Sequence, residues 1–130
     1  MPFNINHIHL KSTDPKATAD WWVNAFNFTI DSDAVRESGD RFISCASENG
    51  IRVNISEPMA GQTFAPGDAG LRYGLEHFGL DSADLEADIA RLETLGATLL
   101  DGPIEMSPTV RIAFIEVPEN VRVELIERSE

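Results

Sequence analysis

The chain has 130 residues, is 42% hydrophobic, and carries 22 acidic against 10 basic residues for a formal net charge of -12. A surface of that sign repels phosphate backbones, so nucleic acid and anionic membrane are not expected partners. A single cysteine, Cys45, excludes an intrachain disulfide framework and a thiolate zinc cluster.

Taken in chain order, the start Met1-Pro2-Phe3-Asn4 shows no basic-then-apolar leader pattern, and no apolar run approaches membrane-spanning length. A cytoplasmic location is therefore expected. Residues 4–11 alternate, with Ile8 and Leu10 on one face and His7 and His9 on the other, as in a half-buried strand. Thr13-Asp14-Pro15 then announces a helix, because Asp14 can cap free amides and Pro15 suits the first helical position. Ala17, Trp21, Trp22, Ala25 and Phe26 form its apolar stripe, read as core. A strand near 28–36 follows, then strands 41–47 and 50–57 around Asn49-Gly50, whose two central residues are expected to take positive φ.

Pro58 to Gly74, with Gly61, Pro66, Gly67 and Gly70, reads as a connector too long for a tight turn. A strand at 75–81 leads to a second capping aspartate, Asp84. The helix after it carries Leu85, Ile89, Leu92 and Leu95 on one stripe and stops near Gly96. Strands near 97–101, 110–117 and 120–127 complete the chain.

These two runs of elements are one unit made twice at an offset of 70. Asn6-His7-Ile8-His9-Leu10 recurs as Glu76-His77-Phe78-Gly79-Leu80, and Ile51-Arg52-Val53-Asn54-Ile55 recurs as Val121-Arg122-Val123-Glu124-Leu125. Asp14 falls on Asp84 and Arg41 on Arg111. The repeat thus supplies two matched histidines and a carboxylate, Glu124, where the first copy has the amide of Asn54, which reads as a metal site. Strand alternation turns the β-branched faces toward the helices and leaves His7, His9, Asn54, His77 and Glu124 on the opposite side.

The His-x-x-Leu before a capping aspartate, the duplicated strand–helix–three-strand unit and the terminal Val-Glu-Leu-Ile strand resemble the vicinal oxygen chelate superfamily, the glyoxalase, bleomycin-resistance and extradiol dioxygenase group. The resemblance implies an α+β fold: two βαβββ modules forming a curved, bowl-like mixed sheet with helices outside. It implies one domain over 1–130, with module 1 at about 1–58, a linker at about 59–73 and module 2 at about 74–130. The superfamily's metal-ligand positions correspond here to His7, Asn54, His77 and Glu124. Of these, His7, His77 and Glu124 are good ligands for one divalent ion per site (Fe2+, Mn2+, Co2+, Ni2+ or Zn2+).

That ligand set implies a glyoxalase-like lyase or isomerase that chelates vicinal oxygens of a small carbonyl or hydroxy-acid substrate. The alternatives are a non-haem Fe(II) extradiol-type dioxygenase and a non-catalytic, drug-sequestering binding protein. Glu124 or His9 is the candidate for moving a proton, and Asn54 completes or borders the metal shell or contacts substrate. Arg52 and Arg122 are candidates for an anionic substrate group, although arginines in so acidic a chain, Arg41 and Arg111 included, also meet acidic neighbours. Tyr73 is a candidate proton donor. A homodimer is expected, with sites within one chain or shared between two.

Overall fold

A computed structural model describes residues 2–129. The order is β1 (His7–Lys11), α1 (Pro15–Phe26), β2 (Thr29–Val35), β3 (Arg41–Ala46) and β4 (Arg52–Ser56), then β5 (Phe78–Asp81), α2 (Leu85–Thr94), β6 (Thr98–Ser107), β7 (Val110–Val117) and β8 (Val121–Arg128). Two compact units, Met1–Ala65 and Pro66–Glu130, each hold one βαβββ run. In the first, a four-stranded mixed sheet is ordered β1-β4-β3-β2, and in the second β5-β8-β7-β6.

The offset of 70 holds at the level of strand register. Ile8 pairs with Val53 in parallel as Phe78 pairs with Val123, and His9 lies opposite Asn54 as Gly79 lies opposite Glu124. Across the antiparallel pairs, Ser44 faces Asn54 as Phe114 faces Glu124. The outermost strands break the rule. Ser32 meets Ser44, but Asp101, not residue 102, meets Phe114, and irregular register runs from Leu99 to Ile104. Gly102 sits within that stretch at φ +97, where an added Cβ would lie 2.8 Å from the Ile112 carbonyl oxygen. The Gly-Pro pair that reads as a strand end is therefore an irregularity inside one longer strand.

Both helices begin as expected. Asp14 accepts the Ala17 amide at 3.2 Å and Asp84 that of Ala87 at 3.1 Å. The second ends in a Schellman arrangement, with Gly96 at φ 101 and the Ala97 amide returning to the Leu92 carbonyl at 3.0 Å. The first hairpin differs from expectation. Only Gly50 takes positive φ, and Asn49 does not. The turn closes through Gly50 N–H to Ser47 C=O at 2.9 Å, which needs one left-handed residue rather than two. The β7–β8 tip, without glycine, holds both Glu119 (φ 67) and Asn120 (φ 57) in that region. Gly67 packs on this tip so closely that a Cβ would stand 2.2 Å from the Glu119 carbonyl oxygen. The connector's second half is thereby tied to the second unit.

Trp22, Ile43, Cys45, Val53 and Ile55 are buried in the first unit, and Leu85, Leu92, Ala113, Ile115, Val123 and Leu125 in the second. The β-branched faces do turn to the helices. Ile51, one residue before β4, is exposed because it belongs to the hairpin. Burial pushes the Cys45 thiol up to about 11, which makes it an inert core residue.

Arg111 also faces the helix side, where it joins Glu127 at 2.7 Å and Glu86 at 2.8 Å, while Glu127 accepts the Leu85 amide at 2.7 Å. The Arg111 hydrogen bonds hold the Glu86 carboxyl down at about 2, and the Leu85 amide followed by Arg111 lowers that of Glu127. Because both folded-state values are depressed, their stabilisation is present above the ordinary carboxylate value of 4.5 and is lost as pH falls, for Glu86 through about 2. Asp40, held at about 2 first by Arg36 and then by Ser38, behaves alike below 3.8. Arg111→Ala is expected to flatten the dependence of the urea midpoint on pH across that acid window, leaving the Asp40 contribution in place.

Candidate metal centre

In the first unit, alternation and register bring His7, His9, Lys11, Phe42, Ser44, Arg52, Asn54 and Ser56 to the sheet face away from α1. His7 is exposed at the start of β1, and its Nδ1 donates to Asn6 Oδ1 at 2.9 Å. Asn54 is 8% exposed. Its Oδ1 accepts from the Ser44 hydroxyl at 2.9 Å, and Ser44 Oγ in turn accepts from Arg52 Nη1 at 2.5 Å. An amide is at home there, since the oxygen is already engaged by a relay ending on a cation. Arg52 also lies 3.8 Å from Asp31.

His9 stands edge-on to Phe42, with ring centroids 5.3 Å apart, and its Nε2 meets Ser56 Oγ at 2.7 Å. Lys11 Nζ donates to the same Oγ at 2.9 Å. Ser56 Oγ can donate its own hydrogen to Nε2 or accept from Nε2 on its second lone pair, so it is compatible with a neutral His9 in either tautomer. Burial, then the charges of Lys11 and His7, lower the His9 pKa from 6.5 and favour that neutral form.

In the second unit, His77 immediately precedes β5 and its ring stands edge-on to Phe114, centroids 5.0 Å apart. His77 Nε2 lies 3.7 Å from Glu124 Oε2. Two donors about 2.1 Å from one ion stand about 3.0–3.4 Å apart, so this pair is a few tenths of an ångström wider than a shared cation requires. The other imidazole nitrogen, Nδ1, is buried and has no hydrogen-bond partner among the described residues. The second carboxylate oxygen of Glu124 faces Gly79, whose hypothetical Cβ would be 3.6 Å away. Where the first unit has the imidazole of His9, the second has Gly79, against which Ile126 packs, its Cδ1 3.2 Å from a hypothetical Cβ. Within this unit the two donors, an imidazole and a carboxylate, are of the types a divalent ion takes.

Arg122 is nearly covered. It lies over the Phe114 ring at 4.5 Å, donates to the Ala69 carbonyl at 3.1 Å and comes within 3.4 Å of Glu76. A groove of about 450 Å³ beside it is lined by Asp68, Leu100, Glu116 and Asn120, and its charged groups are already matched, Asp68 with Arg72 and Glu116 with Asn120. Tyr73 is fully exposed ahead of β5. Arg41 pairs with Asp33 at 2.7 Å and, like Arg111, lies on the helix side of its sheet. Among the described residues, Asp84, Glu86 and Glu127 also form a compact acidic group, but Arg111 bridges Glu86 and Glu127 and Asp84 is committed to capping.

Sequence reasoning missed Ser44, Ser56 and Glu76. The repeat held the signal for Glu76, which stands where the first copy has Asn6. The two serines had none, being ordinary residues until the register sets them beside Asn54 and His9.

The structure is similar to several solved ones. Against a glyoxalase family protein from Bacillus cereus the TM-score is 0.86 at 13% identity, covering 100% of this chain and 97% of that one. A mutant of the genomically encoded fosfomycin resistance protein FosX from Listeria monocytogenes, complexed with Mn(II) and 1S,2S-dihydroxypropylphosphonic acid, gives 0.70 at 19% identity, covering 99% and 95%. TnmS3, an antibiotic binding protein from Streptomyces sp. CB03234, gives 0.68 at 22% identity, covering 98% of each. No curated protein matches the chain in sequence. At such identities these likenesses speak for the fold alone, and it is the family model, matching residues 4–125, that completes the argument from the repeat and its register. The chain belongs to the Glyoxalase/Bleomycin resistance protein/Dioxygenase superfamily.

Proposed function

We propose that the protein is a divalent-metal-dependent enzyme of the glyoxalase-like type, a lyase or isomerase acting on a small carbonyl or hydroxy-acid compound. The proposed ligands are His7, His77 and Glu124, a set that suits Fe(II), Mn(II), Co(II), Ni(II) or Zn(II). When bound, the metal supplies Lewis acidity toward neighbouring substrate oxygens. The observation that carries the reading is the divided carboxylate of Glu124. One oxygen faces His77 Nε2 at 3.7 Å, and the other faces Gly79, which sets no side chain of its own against it. A carboxylate so placed can hold an ion with one oxygen and take a proton with the other. His9 is proposed as a general acid or base. Asn54 is proposed as a border of the metal shell.

The test is the metal content of untagged protein together with oxygen uptake in the presence of catechols. Bound nickel, zinc, manganese or cobalt without uptake supports this reading. Iron with uptake moves the assignment to a dioxygenase, and protein that takes up no divalent ion overturns both in favour of a binding protein. Asn54→Ala is expected to leave Mn(II) affinity within about threefold of the parent, because its oxygen is spent on Ser44. Asn54→Glu is expected to tighten it by about tenfold or more through the added carboxylate. Titration calorimetry checks both.

A second copy of the chain is the proposed partner. Phe3 and Tyr73 are 101% and 106% exposed, and Ile5 and Leu75 83% and 82%. These are two repeat-equivalent pairs of apolar side chains leading into β1 and β5, both edge strands of their sheets. Native mass measurement distinguishes a homodimer from a monomer.

A further inference from the structure

Each proposed histidine ligand is preceded by a side chain that carries an oxygen, and the two are repeat equivalents: Asn6 before His7, Glu76 before His77. Asn6 Oδ1 lies 2.9 Å from His7 Nδ1, and Glu76 Oε1 lies 3.6 Å from His77 Nδ1. In both units the same nitrogen is addressed. In the second, the opposite nitrogen faces Glu124.

We propose that Asn6 and Glu76 are positioning residues that hold Nδ1–H of the histidine after them, so that Nε2 is the nitrogen offered to the metal. This rests on the metal-binding reading above. A histidine that keeps a proton on one ring nitrogen must present the other to a cation, and an acceptor on the protonated side sets both tautomer and ring orientation.

Glu76 shows this most clearly because two buried nitrogens converge on it. Neither His77 Nδ1 nor Arg122 Nε has a hydrogen-bond partner among the described residues, yet they lie 3.6 and 3.4 Å from the same Oε1. Leaving a buried donor unpaired costs about 1–3 kcal/mol. The ring and the guanidinium are both held against Phe114, so the donors are fixed. Glu76, with its side chain 40% exposed, is the member free to move. A shift of about half an ångström brings its oxygen within hydrogen-bond reach of both. A cation on Nε2 sharpens the need for it, since it makes Nδ1–H a stronger donor. Arg122 thereby has a role apart from substrate: it balances the charge of Glu76 and keeps it beside His77. The two ligands differ in consequence, His7 backed by a neutral amide and His77 by a carboxylate, which makes His77 the stronger donor.

The test uses the full chain with Mn(II) as probe. Glu76→Ala is expected to weaken Mn(II) by about 10–100-fold, and Glu76→Gln, which keeps an oxygen acceptor, to recover most of that loss. Asn6→Ala is expected to cost less than Glu76→Ala. Nitrogen-15 spectra of the metal-free protein at alkaline pH, where imidazole is neutral, give a readout independent of metal. The parent is expected to show His77 as the Nδ1–H tautomer and Glu76→Ala to move it toward Nε2–H. Unchanged tautomer and unchanged affinity in Glu76→Ala would overturn the proposal. Should Glu124→Ala also bind Mn(II) as the parent does, the fault lies instead with the metal reading, while the tautomer result still decides the role of Glu76.

Discussion

His77→Ala and Glu124→Ala are each expected to weaken Mn(II) binding by at least about 100-fold, more than the range typical of residues that only support a ligand. Both side chains lie on the sheet face away from α2, and neither belongs to the core under the helix. The fold is therefore expected to survive, with stability changed by less than about 1 kcal/mol, as for substitutions outside a packed core. Glu124→Gln separates charge from shape: it keeps volume and one oxygen but loses the anion, and is expected to resemble Glu124→Ala in metal affinity. Chelator competition gives the affinities and urea unfolding the stabilities. Parent-like Mn(II) binding in both alanine variants would sink the ligand assignment.

The largest effect on stability is expected from Trp22→Ala. Trp22 is fully buried, with its ring 4.9 Å from Phe26 and 5.3 Å from Phe28, centroid to centroid. Emptying so large a site costs about 3–5 kcal/mol, since the transfer term and the cavity term add. Trp21, its half-buried neighbour on the same helix, is expected to cost about 1–2 kcal/mol on truncation. Each unit has its own core, so the damage falls on the first unit. Denaturation of Trp22→Ala is expected to show the first unit's signals lost before the second's, a departure from a single transition. One coincident transition by fluorescence and circular dichroism would show the units unfolding as one.

Much of this architecture was legible because the repeat constrains two stretches at once. The Asp14 and Asp84 caps, the Gly96 stop and the strands that bear or directly follow the site residues lie where periodicity and capping chemistry put them. What was not legible depends on contacts distant in sequence. Glu119 and Asn120 adopt left-handed backbone under a loop that contributes Gly67, and nothing local to Val117-Pro118-Glu119-Asn120 announces it. β6 runs through Gly102-Pro103 because it pairs with β7 on both sides of that irregularity. At the site, the residue types of His7, His77 and Glu124 were readable. The role of Asn54 was not, because it turns on Ser44, a residue with no signature of its own.

The shared register has a cost during folding. β1 finds β4 across a parallel pairing in which Lys11 and Ser56 are 45 residues apart. The corresponding stretch of β8 lies 70 residues further on and offers the same spacing of apolar and polar positions. Loop closure grows only logarithmically with length, so chain entropy disfavours the wrong partner by less than about 1 kcal/mol. Discrimination must come from side chains that do not match across the copies. The hydroxyl pair Ser12–Thr18 beneath α1 differs from Ser82–Asp88 beneath α2, and Arg41 meets Asp33 where Arg111 meets Glu86 and Glu127. Such differences give each newly formed half a preference for itself, and at high chain concentration during refolding the same near-degeneracy favours exchange of whole halves between molecules.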